Sequence, residues 1–155
     1  MPKANRGHQA VVVLDFGGQY AQLIARRVRD RKVYCEIKPY WTDPGELSGY
    51  KGIIFTGGPG SVYAPEAPLC RTELFDLGIP VLGICYGAQV MAQVLGGRVG
   101  PMEAPEFGKT PTQFSGESLL FDGVPESVVW MSHNDGITAV PQGFAPSAGS
   151  AHCPI

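Results

Sequence analysis

Ile79-Pro80-Val81-Leu82-Gly83-Ile84-Cys85-Tyr86-Gly87-Ala88-Gln89 joins an apolar run to a cysteine with glycine two places to either side. The run from Ile79 to Ile84 suits a strand buried on both faces. Ala88 to Leu95 reads as a helix stopped by Gly96-Gly97. A cysteine at such a strand-to-helix junction repeats the nucleophile-elbow pattern G-x-S-x-G, with a thiol in place of the hydroxyl.

Outward from this stretch, strand and helix patterns alternate. Ala10 to Asp15 is continuously apolar and β-branched, and Gly17-Gly18 breaks it. Tyr20, Leu23, Ile24 and Val28 recur at helical spacing. Val33 to Ile37 reads as a second strand, and Pro39, Pro44 and Gly45 open the connection to a third, Gly52 to Thr56. Gly57-Gly58-Pro59-Gly60 is a tight turn, followed by a short helical stretch from Leu69 to Leu77 closed by Gly78. This alternation predicts an α/β fold, an open and mostly parallel sheet in three layers with helices on both faces. Beyond Arg98 shorter β-prone pieces follow: Thr112 to Phe114, Ser118 to Phe121, Val128 to Met131 and Ile137 to Val140. These are expected as antiparallel additions to the same sheet or its rim, because few residues remain for a second core.

The chain has 155 residues and a formal net charge of -2 from 12 Lys plus Arg and 14 Asp plus Glu. That balance speaks against nucleic acid or a polybasic membrane anchor as partner. No apolar stretch reaches the roughly 20 residues of a bilayer span. Residues 1–9 read as a disordered polar tail without the apolar middle of an export signal, leaving 10–155 as one domain. The four cysteines, Cys35, Cys70, Cys85 and Cys153, form no C-x-x-C pair, and His8, His133 and His152 form no H-x-x-x-H pattern. The expectation is therefore no metal site, and free thiols in a reducing cytoplasm.

Cys85 carries the chemical expectation. The glycines at 83 and 87 permit a turn that a side chain would obstruct. The turn lifts the thiol to the carboxyl end of the sheet, where open α/β folds bind ligands. The following helix brings N–H groups and partial positive charge, which favour thiolate. The Tyr86 N–H would point at an oxyanion on an attacked carbonyl, and Gly58, on the same rim, can supply a second donor. An inert buried thiol accounts for Cys35, in a β-rich run, and for Cys70, in a helix. The Gly57–Gly60 turn lacks the lysine of a phosphate-binding loop. Neither His133 nor His152 has a carboxylate orienter visible in the sequence, so each reads as a loop or edge histidine.

Three blocks together resemble the class I glutamine amidotransferases, and within them the GMP synthetase branch. Leu82 to Gly87 with Gln89 is similar to the nucleophile block. Val13-Leu14-Asp15-Phe16-Gly17-Gly18-Gln19-Tyr20 is similar to the opening strand and turn, where serine usually stands at the place of Gly18. Val129-Trp130-Met131-Ser132-His133-Asn134-Asp135 resembles a Trp-Met-Ser-His-Gly-Asp segment, with Asn134 for glycine. Ala25 to Arg29 and Pro105-Glu106-Phe107-Gly108 also fit.

The resemblance implies a flavodoxin-like architecture in which Cys85 attacks the carboxamide of L-glutamine, with Gly58 and Tyr86 as oxyanion donors. It gives Gln89 and the backbone of Ser132, Asn134 and Asp135 the two ends of the amino acid. Asn134 can take a left-handed turn as glycine would. Ammonia would pass to a synthetase (ATP pyrophosphatase) domain or subunit that uses ATP and magnesium. No cofactor is implied for the glutaminase part itself. The family's base and orienter lie in a Gln-Phe-His-Pro-Glu motif beyond a Cys-Pro segment. Cys153-Pro154 is present, no His-Pro-Glu occurs, and the expectation is half of a glutaminase site, inactive alone. Two alternatives remain. An amidotransferase serving anthranilate or aminodeoxychorismate synthesis would not need the opening and Trp130–Asp135 blocks. A non-catalytic module of the same fold would not react at Cys85.

Overall fold

A computed structural model of the chain describes residues 9–114 and 118–155. His8 and the rest of the expected tail, apart from Gln9, lie outside them. The structure divides between Val94 and Leu95 into two compact units.

The first unit is a four-stranded parallel sheet in the order β2-β1-β3-β4, with β1 Ala10–Asp15, β2 Tyr34–Pro39, β3 Gly52–Phe55 and β4 Val81–Gly83. Helix α1 (Ala21–Asp30) follows β1, α2 (Pro44–Leu47) follows β2, and α3 (Tyr86–Val94) follows β4. The chain steps from β1 outward to β2 and then crosses back to β3, so right-handed connections put α1 and α2 on opposite faces. The residues of β1 record this. Val13 packs with Ala21, Ala25 and Cys35, flanked by Val11, Ile37 and Ile54. Val12 and Leu14, which point the other way, are also fully buried. Burying a side chain of this size contributes about 1.5–3 kcal/mol, which explains the unbroken apolar run.

The apolar face of α1 is Ala21, Ile24, Ala25 and Val28, not the expected set built on Tyr20 and Leu23. Those two are 64% and 48% exposed. Small alanines sit where the helix lies nearest the sheet, a role hydrophobicity ranking underrates. Asp43 caps α2, accepting from the Gly45 N–H at 2.9 Å, with Pro44 at the first helical position. The expected helix of Leu69 to Leu77 is a tighter 3-10 turn, Thr72–Leu77. Gly78 closes it as foreseen, at φ +66°.

The second unit corrects the reading of the C-terminal third. Its strands do not extend the parallel sheet; they form a sheet of their own in the order β6-β5-β7. The separate pieces from Arg98 onward are two long strands, β5 (Arg98–Phe114) and β6 (Ser127–Ala139), with a short β7 (Ala148–Gly149). Leu119–Phe121, expected as strand, is a 3-10 turn. Pro101, Pro105 and Pro111 made β5 look interrupted. It tolerates them because β7 meets it only at Gln113 and Phe114, and because its register with β6 shifts between Pro101 and Glu106.

Candidate active site

The strand order reverses direction between β1 and β3, and the loops leaving their carboxyl ends lie side by side. Thr56 binds these loops together. Its fully buried hydroxyl accepts from the Phe16 N–H and donates to the Gly57 carbonyl, both at 2.9 Å. Gly18 lies so close to Gly57 that a β-carbon there would stand 2.8 Å from the Gly57 carbonyl carbon.

Beside β3, the chain turns from β4 into α3 within two residues. Cys85, at its apex, holds φ +52°. That left-handed conformation costs an L-residue about 1–2 kcal/mol, and the surroundings enforce it. The Ile84 N–H donates to the Phe55 carbonyl at 3.1 Å, and the Ala88 and Gln89 N–H groups donate to the Cys85 carbonyl at 3.0 and 3.1 Å. A β-carbon on Gly83 would lie 2.6 Å from Ala88 N and Cα. One on Gly87 would lie 2.6 Å from Phe55 Cβ and 2.7 Å from its carbonyl oxygen. Strand and helix therefore meet at glycine-only distances.

The Cys85 residue is exposed, whereas Cys35 and Cys70 are buried. Cys70 precedes the 3-10 turn rather than lying in a helix. Burial pushes the Cys70 thiol up to about 11 and raises that of Cys35. An accessible sulfur on a strained turn at the mouth of a parallel sheet is placed for nucleophilic attack.

Gly58 and Tyr86 face each other. A β-carbon on Gly58 would fall 2.8 Å from Cγ and Cδ1 of the Tyr86 ring. That ring is 1% exposed, packs on Phe16 at 6.0 Å and donates its hydroxyl to the Pro68 carbonyl at 2.9 Å. Burial, with a smaller contribution from Tyr40, pushes its phenol up to about 12. Tyr86 also opens α3, where the first N–H groups of a helix lack intrahelical acceptors. Gln89 is buried one turn further on. The first unit thus gathers Cys85, Tyr86, Gly58 and Gln89.

A separate open cleft of about 400 Å³ lies at the ends of β1 and β2, with Asp15, Tyr40 and Trp41 among its walls. Cys85 is not among them.

Ser132, Asn134 and Asp135 all lie on β6 in the second unit. Ser132 and Asn134 are exposed, and the intervening His133 and the following Asp135 are more buried. Asn134 does not use the left-handed conformation open to it; it stays within β6, at the point where the pairing with β5 shifts register. His133 is the edge histidine of the two expected kinds, since β6 is an outer strand of its sheet. Its Nε2 stands 3.2 Å from Oε2 of Glu106 on β5, and its Nδ1 lies 2.9 Å from the Asp135 carbonyl oxygen. Glu106, 6% exposed, also accepts from the Ser150 hydroxyl. Sequence reasoning missed this carboxylate partner. The only signal was that Glu106 sits inside a block already noted, Pro105 to Gly108.

The model of the glutamine amidotransferase class-I family matches residues 12–154. The chain is 50% identical over 151 residues to a GMP synthase (glutamine-hydrolysing) of Acetivibrio thermocellus, covering 96% of this chain and 30% of that protein. It is 56% identical over 149 residues to a protein of the same description from Clostridium botulinum, covering 94% and 29%. The chain thus spans about 30% of the length of the curated relatives it matches. Among solved structures, a candidate GMP synthase component of Thermoplasma acidophilum superposes with a TM-score of 0.79 at 32% identity, covering 94% of this chain and 75% of that one. A glutamine amidotransferase of Thermotoga maritima shares the fold with a TM-score of 0.72 at 19% identity, covering 94% and 69%. Among the described residues no helix is long and apolar enough to cross a membrane.

Proposed function

Since this chain belongs to the class I glutamine amidotransferase family, we propose that it is the glutaminase part of a glutamine-hydrolysing GMP synthase. Residues 10–155 belong to one glutamine amidotransferase domain, which works in the cytoplasm. L-glutamine is the substrate, and no cofactor is needed for its hydrolysis. The partner is a synthetase domain or subunit of the ATP pyrophosphatase type, which uses ATP and magnesium to convert XMP to GMP with the released ammonia. Two kinds of support stand behind this reading: relatives of that description at about 50% identity, and a thiol on a glycine-flanked elbow.

In the reaction, Cys85 Sγ adds to the side-chain carboxamide carbon of glutamine, and the carbonyl electrons move onto oxygen. The N–H groups of Gly58 and Tyr86 hold that oxyanion. Collapse of the intermediate breaks the C–N bond, and the nitrogen leaves as ammonia once a proton reaches it. Water then cleaves the thioester to glutamate and restores the thiol. Gln89, one turn into α3, holds one end of the amino acid. The 155 residues contain no His-Pro-Glu, the motif in which the family carries its base.

The observation that carries the proposal is the exposed Cys85 at φ +52° between two glycines that tolerate no side chain. A glutamine-like chloroketone or diazoketone tests it in a polypeptide that continues through a His-Pro-Glu motif. The expected result is one adduct, on Cys85, blocked by excess glutamine. An adduct that persists in Cys85→Ala, or no adduct at all, overturns it.

A further inference from the structure

Glu106, His133 and Cys153 come from β5, β6 and the turn after β7, and their ligating atoms all lie within 4.8 Å of one another. The spacing of these residues along the chain hid this, since no two fall within a ligand motif. The hydrogen-bond geometry poses a problem that an ion solves. The Asp135 carbonyl is an acceptor only, so His133 Nδ1 carries the hydrogen across that 2.9 Å contact. Nε2 is then left facing a carboxylate oxygen at 3.2 Å, two electron pairs that need a proton or a cation between them. Ligands held at about 2.0–2.3 Å around tetrahedral zinc stand about 3.2–3.8 Å apart, which the 3.2 Å pair already matches.

The outer partners are also those of a metal centre. Metal-ligating histidines donate their second ring nitrogen to a carbonyl or carboxylate, and ligating carboxylates are themselves hydrogen-bonded. Here the Asp135 carbonyl fills the first role and the Ser150 hydroxyl, on Oε1 of Glu106, fills the second. Ser150 in turn shapes the loop that presents Cys153, accepting from its N–H at 3.1 Å, while the Ser150 N–H donates to the Cys153 carbonyl at 2.8 Å. Cys153 Sγ lies 3.2 Å from the Ile155 carbonyl oxygen, a weak contact that coordination would replace.

We propose that Glu106, His133 and Cys153 form a divalent-cation site of zinc-binding character, using carboxylate Oε2, imidazole Nε2 and thiolate Sγ. Mixed nitrogen, oxygen and sulfur donors select zinc over magnesium or calcium. On binding, the Cys153 thiol proton leaves to solvent, and the ion takes the place between Nε2 and Oε2. The bound ion braces β5, β6 and the last turn of the chain together.

Cobalt(II) is the probe, added to the reduced 155-residue chain carrying Cys85→Ser so that the exposed thiol does not compete. Titration is expected to saturate at one equivalent, with a thiolate-to-cobalt charge-transfer band in the near ultraviolet and visible bands of a tetrahedral centre. Zinc abolishes both. Cys153→Ser removes the charge-transfer band, and Glu106→Gln or His133→Gln weakens cobalt binding tenfold or more. The wild-type chain with Cys85 alkylated gives the same readout if Cys85→Ser does not fold. Absence of the band in either protein at stoichiometric cobalt, or its survival in Cys153→Ser, overturns the proposal.

Discussion

The Tyr86 ring occupies the volume that a side chain on residue 58 would need, with Cγ and Cδ1 both 2.8 Å from where a Gly58 β-carbon would stand. The two proposed oxyanion donors are thus fixed relative to each other by one aromatic contact. Because that ring is buried and hydrogen-bonded at its hydroxyl, it cannot swing aside. Gly58→Ala is expected to destabilise the fold by about 1–3 kcal/mol, the range for overpacking a tight site, and to slow labelling of Cys85. Gly60, two residues on, has nothing within 4 Å of its would-be β-carbon. Gly60→Ala should stay within about 0.5 kcal/mol of wild type. Urea denaturation of both variants checks the contrast; equal losses would contradict it.

Cys85 bears the strain of its own position. With φ at +52° and an exposed side chain, it holds its thiol outward at the expense of backbone energy. Cys85→Gly relieves a left-handed penalty of about 1 kcal/mol and removes the thiol. The expected result is a higher denaturation midpoint in a protein that the glutamine-like electrophile no longer labels. A lower midpoint would show that the thiol makes stabilising contacts that outweigh the strain.

Thr56→Val keeps the shape of the side chain and removes the oxygen between the two loops. The Phe16 N–H then loses its acceptor in a site with no exposure to water. Leaving a buried donor unpaired costs about 1–3 kcal/mol. Thr56→Ser retains the hydroxyl and should recover most of that loss. Thermal melts of the two variants distinguish the lost hydrogen bond from lost methyl packing.

The Tyr86 phenol gives the chain an alkaline signature. Its ordinary value is 10.0, and burial pushes it up to about 12 in the folded state. A group raised in this way stabilises fully below pH 10 and loses that contribution as pH climbs toward 12. Tyr86→Phe lacks the hydroxyl bond to Pro68, so it should be less stable than wild type at neutral pH by about 0.5–1.5 kcal/mol. The gap should narrow between pH 10 and 12, because only the wild type releases this proton more readily on unfolding. Parallel urea curves at pH 8 and pH 11 measure it; a constant gap would refute the assignment.

The elbow was legible because its signal is local. Gly83, Cys85 and Gly87 are spaced by the turn itself, and each glycine is needed by an approach of 2.6 Å. The α1 face was partly misread because Ala21 and Ala25 look unremarkable beside Tyr20 and Leu23. The prolines of β5 masked a continuous strand, since a sequence does not show which edge of a strand is left unpaired.

The residues alone determined the parallel half of the protein and the cysteine on its rim. Continuous apolar runs demand burial on both sides, and glycines two places either side of a thiol permit one kind of bend. Tertiary structure decided that β5 and β6 form their own sheet, and that Glu106 meets His133 while Ser150 and Cys153 close around them. Those meetings depend on strand register across a bulge. In a sheet whose side chains alternate faces, a slip of one residue sends a group to the opposite side.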